Sequence, residues 1–153
     1  MANKQALSIL FQIISLFGTP FFYVPMTVYF LKINPKLGIS LIFILIINEV
    51  TCGAIKYIYP KERPIPMPNK TLFQKYLAGS FPSVHTARVT AFFAAVILYN
   101  INTMFILIGL LAVIAVGYSR IYLKKHYLTD VLAGFAIGAI ISAMGLIMQN
   151  NYF

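Results

Sequence analysis

The sequence has very few charged residues for its length. Only 10% of its 153 residues are Asp, Glu, Lys or Arg, and only three of these are acidic. A soluble domain has about a quarter of its residues charged. With 60% hydrophobic residues and a mean hydropathy of +0.84, one water-soluble core could not cover the apolar surface. This composition excludes an ordinary cytosolic globule, a disordered chain and a coiled coil, and indicates an integral membrane protein.

Cysteine is almost absent. Cys52 has no second cysteine to pair with, so an internal disulfide is excluded. It lies in an apolar stretch, where its simplest interpretation is a small buried hydrophobic residue.

The scarcity of charge leaves long uncharged stretches. They cover residues 5–31, 37–55 with only Glu49, 89–119 and 131–153. A helix needs about 20 apolar residues to cross a bilayer, so each stretch is long enough for a span. The third contains the polar turn YNIN at 99–102, and therefore predicts a hairpin of two short helices.

Five apolar segments follow from this pattern. They are Leu7–Leu31, Leu37–Tyr57, Ser83–Tyr99, Thr103–Tyr118 and Tyr127–Met148. Pro20 and Pro25 interrupt the first, which predicts an interfacial helix within residues 1–18, ahead of the span. That segment lacks a small-residue cleavage site, so we expect it to be retained. The predicted fold class is an all-α integral membrane bundle of about five transmembrane helices, with one domain over residues 1–153.

A polar loop over residues 58–81 separates the second and third segments. Within it, we expect Leu72–Leu77 to form an amphipathic turn in the headgroup layer. With five crossings, this loop and the loop at 119–126 lie on one membrane side, and the loops at 32–36 and 100–102 lie on the other. Nearly all strongly polar groups then gather at one membrane face, as a single active site would require.

The net charge of +9 resides mainly in the segments between the apolar stretches. Because the basic residues are not spread along a soluble face, anionic lipid or phosphate is a better predicted partner than nucleic acid.

Two histidines and one carboxylate are the candidate reactive groups. His126 and Asp130 are four residues apart, the spacing of one helical face. The carboxylate could then orient the imidazole and leave its other nitrogen free as a nucleophile or base. The alternative is that Asp130 only caps a helix start. His85 follows Ser83 at the start of an apolar helix, where a hydroxyl and free backbone amides can bind an anion.

Cations flank these groups. Lys56 and Arg63 are seven residues apart, and Arg120 precedes His126 by six. Arg binds phosphate in a bidentate manner and Lys adds a compact charge. Cations, a hydroxyl, two imidazoles and a carboxylate are the groups that phosphoryl transfer uses. Zinc binding by the histidines and Asp130 is the alternative, which the surrounding cations disfavour.

Three further charged residues have open interpretations. Glu49 lies in mid-segment, where it is either part of a functional site or hydrogen-bonded to a neighbouring helix. Glu62 is interpreted as a solvated neighbour of Lys61, with contact to the substrate as the alternative. Arg88 either meets lipid headgroups or extends a basic funnel toward the site.

These strings resemble the three-part signature of the type 2 phosphatidic acid phosphatase superfamily, membrane lipid phosphatases that share a core with vanadium haloperoxidases. Residues 56–64 match its first motif, Lys, six residues, Arg-Pro, completely. Residues 119–130 match its third, Ser-Arg, five residues, His, three residues, Asp, completely. Residues 82–85 match its second, Pro-Ser-Gly-His, except that Val84 replaces the glycine. The motifs occur in the family order.

The resemblance implies a role for each matched residue. His126 would attack phosphorus and become a phosphohistidine, Asp130 would orient it, and His85 would protonate the leaving oxygen. The residues that would bind the phosphate oxygens are Lys56, Arg63, Ser83, Val84 and Arg120. The family needs no metal or other cofactor. A negative φ at Val84 would still let its amide donate to the phosphate.

We therefore expect an integral membrane lipid phosphatase that removes the terminal phosphate of a lipid phosphate or pyrophosphate through a phosphohistidine. Polyprenyl pyrophosphate, phosphatidylglycerol phosphate, phosphatidic acid and a lipid A phosphate are not distinguished by the sequence. The resemblance implies an active site on the extracytoplasmic side. Two alternatives stay open: a lipid-to-lipid phosphotransferase, and a non-catalytic protein that binds or transports anionic lipid.

Overall fold

A computed structural model describes the backbone of residues 2–152 and the side chains of residues 3–147, and this part of the chain is helical with no strand. Its helices are α1 (Ala2–Leu16), α2 (Pro20–Ile33), α3 (Pro35–Ile58), α4 (Leu72–Ala78), α5 (Val84–Tyr99), α6 (Thr103–Tyr122) and α7 (Leu128–Tyr152). The predicted all-α class is confirmed. The predicted domain over residues 1–153 includes Met1 and Phe153, which lie outside the described residues, and it stays a prediction.

Four helical stretches in the described part are long and apolar enough to cross a bilayer. They are Asn3–Ile33, which covers α2 and all of α1 except Ala2, and then Pro35–Ile58, Thr103–Tyr122 and Leu128–Ile147. Helix α5 is also apolar but shorter. The five apolar segments predicted from charge spacing therefore all become helical, because a bilayer sets the length of uncharged chain that each crossing needs.

Polar turns mark one end of the bundle. The Asn34 side chain accepts a hydrogen bond from the Leu37 backbone N–H (3.2 Å), and Asn102 accepts one from Met104 (2.9 Å). These side chains cap the starts of α3 and α6. The Tyr99 hydroxyl lies 3.1 Å from the Asn34 side-chain oxygen, so the two turns lie at the same end.

Helix α5 packs against α3, α6 and α7 at the centre of the bundle. Its approach to α7 depends on Gly134 and Gly138. A Cβ atom would lie 2.5 Å from the Ser83 carbonyl at the first position and 2.4 Å from the Ala87 carbonyl at the second. Because neither position has room for a side chain, α7 runs directly against the start of α5. The Ser83 backbone N–H consequently donates to the Asp130 carbonyl (2.9 Å).

One of the predicted helix ends is wrong. Helix α6 continues to Tyr122, beyond the predicted end at Tyr118, so Arg120 lies in its last turn and not in a loop. Lys56 lies in the last turn of α3, inside the predicted segment Leu37–Tyr57. Basic residues are favoured in a last helical turn, where they face the negative end of the helix dipole. Pro25 was expected to interrupt the first segment, but it is accommodated inside α2.

The connection between α3 and α5 contains α4. A complete capping box, formed by Thr71 and Gln74, starts this helix. Leu72 and Phe73 are 72% and 69% exposed. The helical part of the prediction for Leu72–Leu77 is thus confirmed, and its location in the headgroup layer stays a prediction.

Candidate functional site

His126 lies in the turn between α6 and α7, at the end of the bundle opposite the asparagine caps. Its side chain is buried, and its Nδ1 lies 2.7 Å from the Ser80 carbonyl oxygen. Because a carbonyl can only accept, Nδ1 carries the proton in this contact and Nε2 keeps its lone pair. A neutral imidazole with a free nitrogen is the form that a nucleophilic histidine needs.

Asp130 lies fully buried in the first turn of α7. Its carboxylate accepts hydrogen bonds from Lys61 Nζ (2.6 Å), from the Ser80 hydroxyl and from the Tyr127 backbone N–H (2.8 Å). The carboxylate is 3.8 Å from His126 Nδ1, within ion-pair range but too far for a hydrogen bond. Ser80 therefore links the two residues, since its carbonyl holds the imidazole and its hydroxyl holds the carboxylate.

The helical reasoning that paired His126 with Asp130 is wrong in its geometry. His126 precedes α7, which begins at Leu128, so the two residues do not share a helical face. Asp130 instead reaches back to the Tyr127 N–H, in the manner of a capping box.

Lys56 and Arg63 converge on one stretch of backbone. Both donate to the Gly79 carbonyl, and Arg63 also donates to the Ala78 carbonyl (3.3 Å) and the Lys125 carbonyl (3.5 Å). Arg63 therefore joins the 58–81 loop to the turn that holds His126. Burial lowers the pKa of the Arg63 guanidinium, while nearby Asp130 raises it. An arginine stays charged at neutral pH even so.

Arg120 is buried in the last turn of α6. Its side chain donates to the Ser15 hydroxyl of α1 (3.1 Å), and this hydroxyl lies 2.9 Å from that of Ser119. Within the described side chains, the Arg120 Nε has no hydrogen-bond partner. A buried cation without a counter-ion is costly, and a bound anion would supply the missing partner.

The start of α5 presents free backbone donors. Ser83 is its N-cap, and the amides of the first helical turn, including those of Val84 and His85, have no partner within the helix. The Ser83 hydroxyl lies 3.0 Å from that of Thr86. Among the non-glycine residues that the structure describes, only Lys124 has a positive φ, so valine fits at position 84 without backbone strain.

The predicted site residues lie at one end of the bundle. Electrostatic interactions reach His85 from His126 and from three guanidinium groups, those of Arg63, Arg88 and Arg120. They reach His126 from Lys56, Arg63 and Arg120. The start of α5 and the start of α7 are joined directly, since the Ser83 backbone N–H donates to the Asp130 carbonyl (2.9 Å).

The charge surroundings are strongly one-sided. In the described part of the chain, no carboxylate forms an ion pair with Lys56, Arg63 or Arg120. No group of three His, Cys, Asp or Glu side chains among these residues could hold a metal ion, so the zinc alternative lacks a ligand set.

The structure bears on the open interpretations of two acidic residues. Glu49 is ion-paired with Arg88, whose Nη2 lies 2.8 Å from the carboxylate, so it is bonded to a neighbouring helix. Arg88 is therefore paired with an acidic residue, and its suggested contact with headgroups or with a basic funnel stays a prediction. Glu62 is exposed, as expected of a solvated neighbour of Lys61, but it also borders the basic cavity described below, so contact with a substrate stays a prediction.

Four contacts around the site were missed by the sequence analysis: those of Ser15, Gly18, Lys61 and Ser80. Ser80 and Lys61 belong to the polar loop, where no periodic pattern indicates which residue meets Asp130. A buried carboxylate needs partners, and this requirement was the one available signal for Lys61.

Two cavities occur among the described residues; the first shares Lys56 and Arg63 with the site, and the second is lined by none of the predicted site residues. The first, of about 290 Å³, is bordered by the basic side chains of Lys56, Lys61, Arg63 and Lys75. The second is an apolar groove of about 420 Å³ between α2 and α3, with Glu49 and Arg88 in its lining.

The His126 imidazole is expected to stay neutral well below pH 6.5. Burial lowers the pKa of His126 to about 4, with Arg63, Arg120 and Lys56 adding to this effect and Asp130 opposing it. The unfolded chain takes up this proton near pH 6.5. The contribution of His126 to stability is therefore present above about pH 6.5 and is lost as the pH falls toward 4.

Nitrogen NMR of histidine-labelled protein in detergent measures this titration directly. The chain has only two histidines, so a His85→Gln variant leaves the His126 signals alone. We expect a neutral imidazole with the proton on Nδ1 at pH 6, and a midpoint near 4. A midpoint near 6.5 would contradict the buried, cation-flanked environment.

The sequence matches a known protein family and two named relatives. The family model described as the PAP2 superfamily matches residues 37–153. An undecaprenyl-diphosphatase from Sulfolobus acidocaldarius is 30% identical over 142 residues, which cover 90% of this chain and 68% of the relative. Phosphatidylglycerophosphatase B from Bacillus subtilis is 32% identical over 72 residues, which cover 40% of this chain and 35% of that protein.

Solved structures share the fold. The crystal structure of Aquifex aeolicus LpxE superposes with a TM-score of 0.80 at 25% identity, over 93% of this chain and 86% of that one. A Bacillus subtilis PAP2-type phosphatidylglycerolphosphate phosphatase superposes with a TM-score of 0.77 at 20% identity, over 96% of this chain and 78% of that one, and shows likeness of fold alone.

Proposed function

Because the chain belongs to the PAP2 superfamily, we propose that it is a membrane phosphatase that hydrolyses the terminal phosphate of a lipid phosphate or diphosphate through a phosphohistidine on His126. The observation that carries this proposal is the state of His126, a buried neutral imidazole with Nε2 free beside three cations that lack carboxylate partners.

The first step is attack by His126 Nε2 on phosphorus. The N–P bond forms as the bond from phosphorus to the leaving oxygen breaks. The ring gains positive charge, while its Nδ1 proton stays in the hydrogen bond to the Ser80 carbonyl. Asp130, held 3.8 Å away through Ser80, stabilises this charge.

The negative charge on the transferring phosphoryl group is stabilised by Lys56, Arg63 and Arg120. Positioning and electrostatic stabilisation supply most of the catalysis in phosphoryl transfer. The free amides of Val84 and His85 add donors without needing to reorganise.

His85 is assigned the proton transfers. Because three guanidinium groups act on His85, the negative charge of the bound phosphate is what lets the imidazole hold a proton there. It protonates the leaving oxygen in the first step and accepts a proton from the attacking water in the second, when the N–P bond breaks. This water-dependent step releases inorganic phosphate and restores neutral His126.

The substrate is proposed to be a phosphate on a lipid chain. The 290 Å³ basic cavity suits an anionic headgroup, and the 420 Å³ apolar groove suits a hydrocarbon chain. A polyprenyl diphosphate is the first candidate, since a relative whose match covers 90% of this chain is named an undecaprenyl-diphosphatase. The extracytoplasmic placement of the site and its independence of metal stay predictions.

Purified protein in detergent should release phosphate from at least one lipid in a panel of undecaprenyl diphosphate, phosphatidylglycerol phosphate, phosphatidic acid and a lipid A phosphate. We expect the activity to survive a chelator and to be inhibited by vanadate, which occupies the phosphate site. Phosphate transfer to an added acceptor lipid in place of release would indicate a phosphotransferase. Saturable lipid binding without release or transfer would refute the enzymatic proposal.

A further inference from the structure

We propose that Arg88 is a positioning residue which, with Glu49 and Tyr76, holds the leaving-group acid His85 in place. The inference rests on the proposed function, which assigns the acid role to His85. Neither Arg88 nor Glu49 belongs to the three motifs, and neither bonds directly to a motif side chain.

All three guanidinium nitrogens of Arg88 are engaged. Nε and Nη2 donate to the two oxygens of the Glu49 carboxylate, the second at 2.8 Å. Nη1 donates to the Gly18 carbonyl at 3.1 Å. Arg88 therefore ties its own helix α5 to α3 and to the turn between α1 and α2. A bidentate pair fixes the orientation of the guanidinium plane, so the third donor points in a defined direction.

The Gly18 turn is the wall against which His85 packs. A Cβ atom at Gly18 would lie 2.6 Å from the His85 Cβ and 2.9 Å from its Cδ2. The glycine backbone thus touches the imidazole side chain directly, and a shift of the turn would leave the ring free to rotate. Arg88 lies three residues after His85, on the same face of α5. Its bond to the Gly18 carbonyl can therefore keep the turn in contact with the His85 ring.

The same carboxylate also connects to the phosphate-binding side of the site. The Tyr76 hydroxyl donates to Glu49 at 3.3 Å, and Lys56 Nζ lies 5.4 Å from the centre of the Tyr76 ring. Burial, reinforced by the Glu49 charge, raises the pKa of Tyr76 to about 12, so the phenol keeps the proton it donates. A cation over an aromatic face is attracted to it. The network of Arg88, Glu49 and Tyr76 therefore contacts Lys56 at one end and, through the Gly18 turn, His85 at the other.

A purely structural ion pair would act differently from a positioning one. The Arg88 side chain is only 13% exposed and Glu49 lies within α3, so breaking a purely structural pair would leave a poorly hydrated charge and lower the stability of the fold. A loss of stability would also affect every substrate alike. Misplacement of an acid, by contrast, harms only those reactions whose leaving group needs a proton.

The test compares two leaving groups. Dioctanoyl phosphatidic acid expels a strongly basic alkoxide, whereas p-nitrophenyl phosphate expels a stable phenolate that needs no acid. We expect Arg88→Met to lower kcat for the lipid by about 10- to 100-fold, a substantial part of the usual effect of an acid, and to leave kcat for the aryl phosphate within about 3-fold. His85→Asn should give the same pattern with a larger loss on the lipid.

Matched variants separate the outcomes. Glu49→Gln keeps the side-chain volume and should lower kcat for the lipid by a smaller factor, again without affecting the aryl phosphate. If Arg88→Met does not fold, this variant provides the test. Lys32→Ala, an exposed basic residue in the last turn of α2, should change neither rate.

Two results overturn different claims. Equal losses on both substrates, or no loss, in Arg88→Met and Glu49→Gln would refute the positioning role while leaving the proposed function intact. Full activity of His126→Ala on both substrates would instead refute the proposed function itself.

Discussion

Replacement of His126 by alanine is expected to reduce phosphate release by about 10⁴-fold or more. Removing a catalytic nucleophile costs this much because the bond it forms has no substitute in the site. The free Nε2 of His126 is the atom that would be lost, while the Ser80–Asp130 contact that holds the turn stays in place. The rate is measured as phosphate released from the lipid that the panel identifies.

Trapping of the phosphoenzyme makes this prediction specific. Wild-type protein quenched during turnover of labelled substrate should carry a phosphoryl group that is labile in acid and stable in alkali, as a phosphohistidine is. His126→Ala should carry none. Lys70→Ala, a basic residue in the same polar face but exposed, serves as the control and should label normally. Labelling of His126→Ala at the wild-type level would contradict the assignment of the nucleophile.

Replacement of Arg120 by alanine is expected to lower activity by about 10²- to 10³-fold, the usual cost of losing one charge-stabilising donor. The same change should not lower the thermal stability of the substrate-free protein. Arg120 is a buried cation whose Nε has no partner among the described side chains, so its removal relieves a desolvation cost. Loss of function with unchanged or raised stability is the signature of a binding group held without a counter-ion.

Vanadate binding provides the second measurement for Arg120. A ligand at 100 times its Kd stabilises a folded protein by about 2.7 kcal/mol. Wild-type protein should show such a shift in melting temperature, and Arg120→Ala should show much less at the same concentration. The vanadate-induced shift of Arg120→Lys is expected to lie between these two. Lysine keeps the charge but lacks the planar guanidinium, whose several N–H donors can bond Ser15 and a phosphate at the same time. Wild-type activity in Arg120→Ala, or a large fall in its stability without vanadate, would contradict this account.

Most of the fold could be predicted from charge spacing. The bilayer requires about 20 uncharged residues per crossing, so the positions of Lys, Arg and the rare acids bound the helices to within a few residues. The errors came where a charged side chain lies inside a helix end, as Arg120 does in α6. A charge count places such a residue in a loop, although the helix dipole favours it in the last turn.

The candidate site was only partly predictable. Lys56, Arg63, His85 and His126 could be proposed from their order and spacing, because the family resemblance depends on short strings of sequence. The hydrogen bonds that hold the site residues in place could not be predicted. Ser80 joins His126 to Asp130 from 46 and 50 residues away, and Ser15 braces Arg120 across 105 residues. No local periodicity encodes a contact at that separation.

The sequence by itself determined that this is a helical membrane protein, which residues carry its charge, and that the reactive ones occur beside apolar segments. Those properties depend on composition and on separation along the chain, and the order of the residues is enough to give both. Only the tertiary structure decided the tautomer of His126, the pairing of Glu49 with Arg88, and the lack of a carboxylate partner for Arg120 among the described residues. Each depends on which helices approach one another, and that depends on packing such as the contact of α7 with α5 at Gly134 and Gly138.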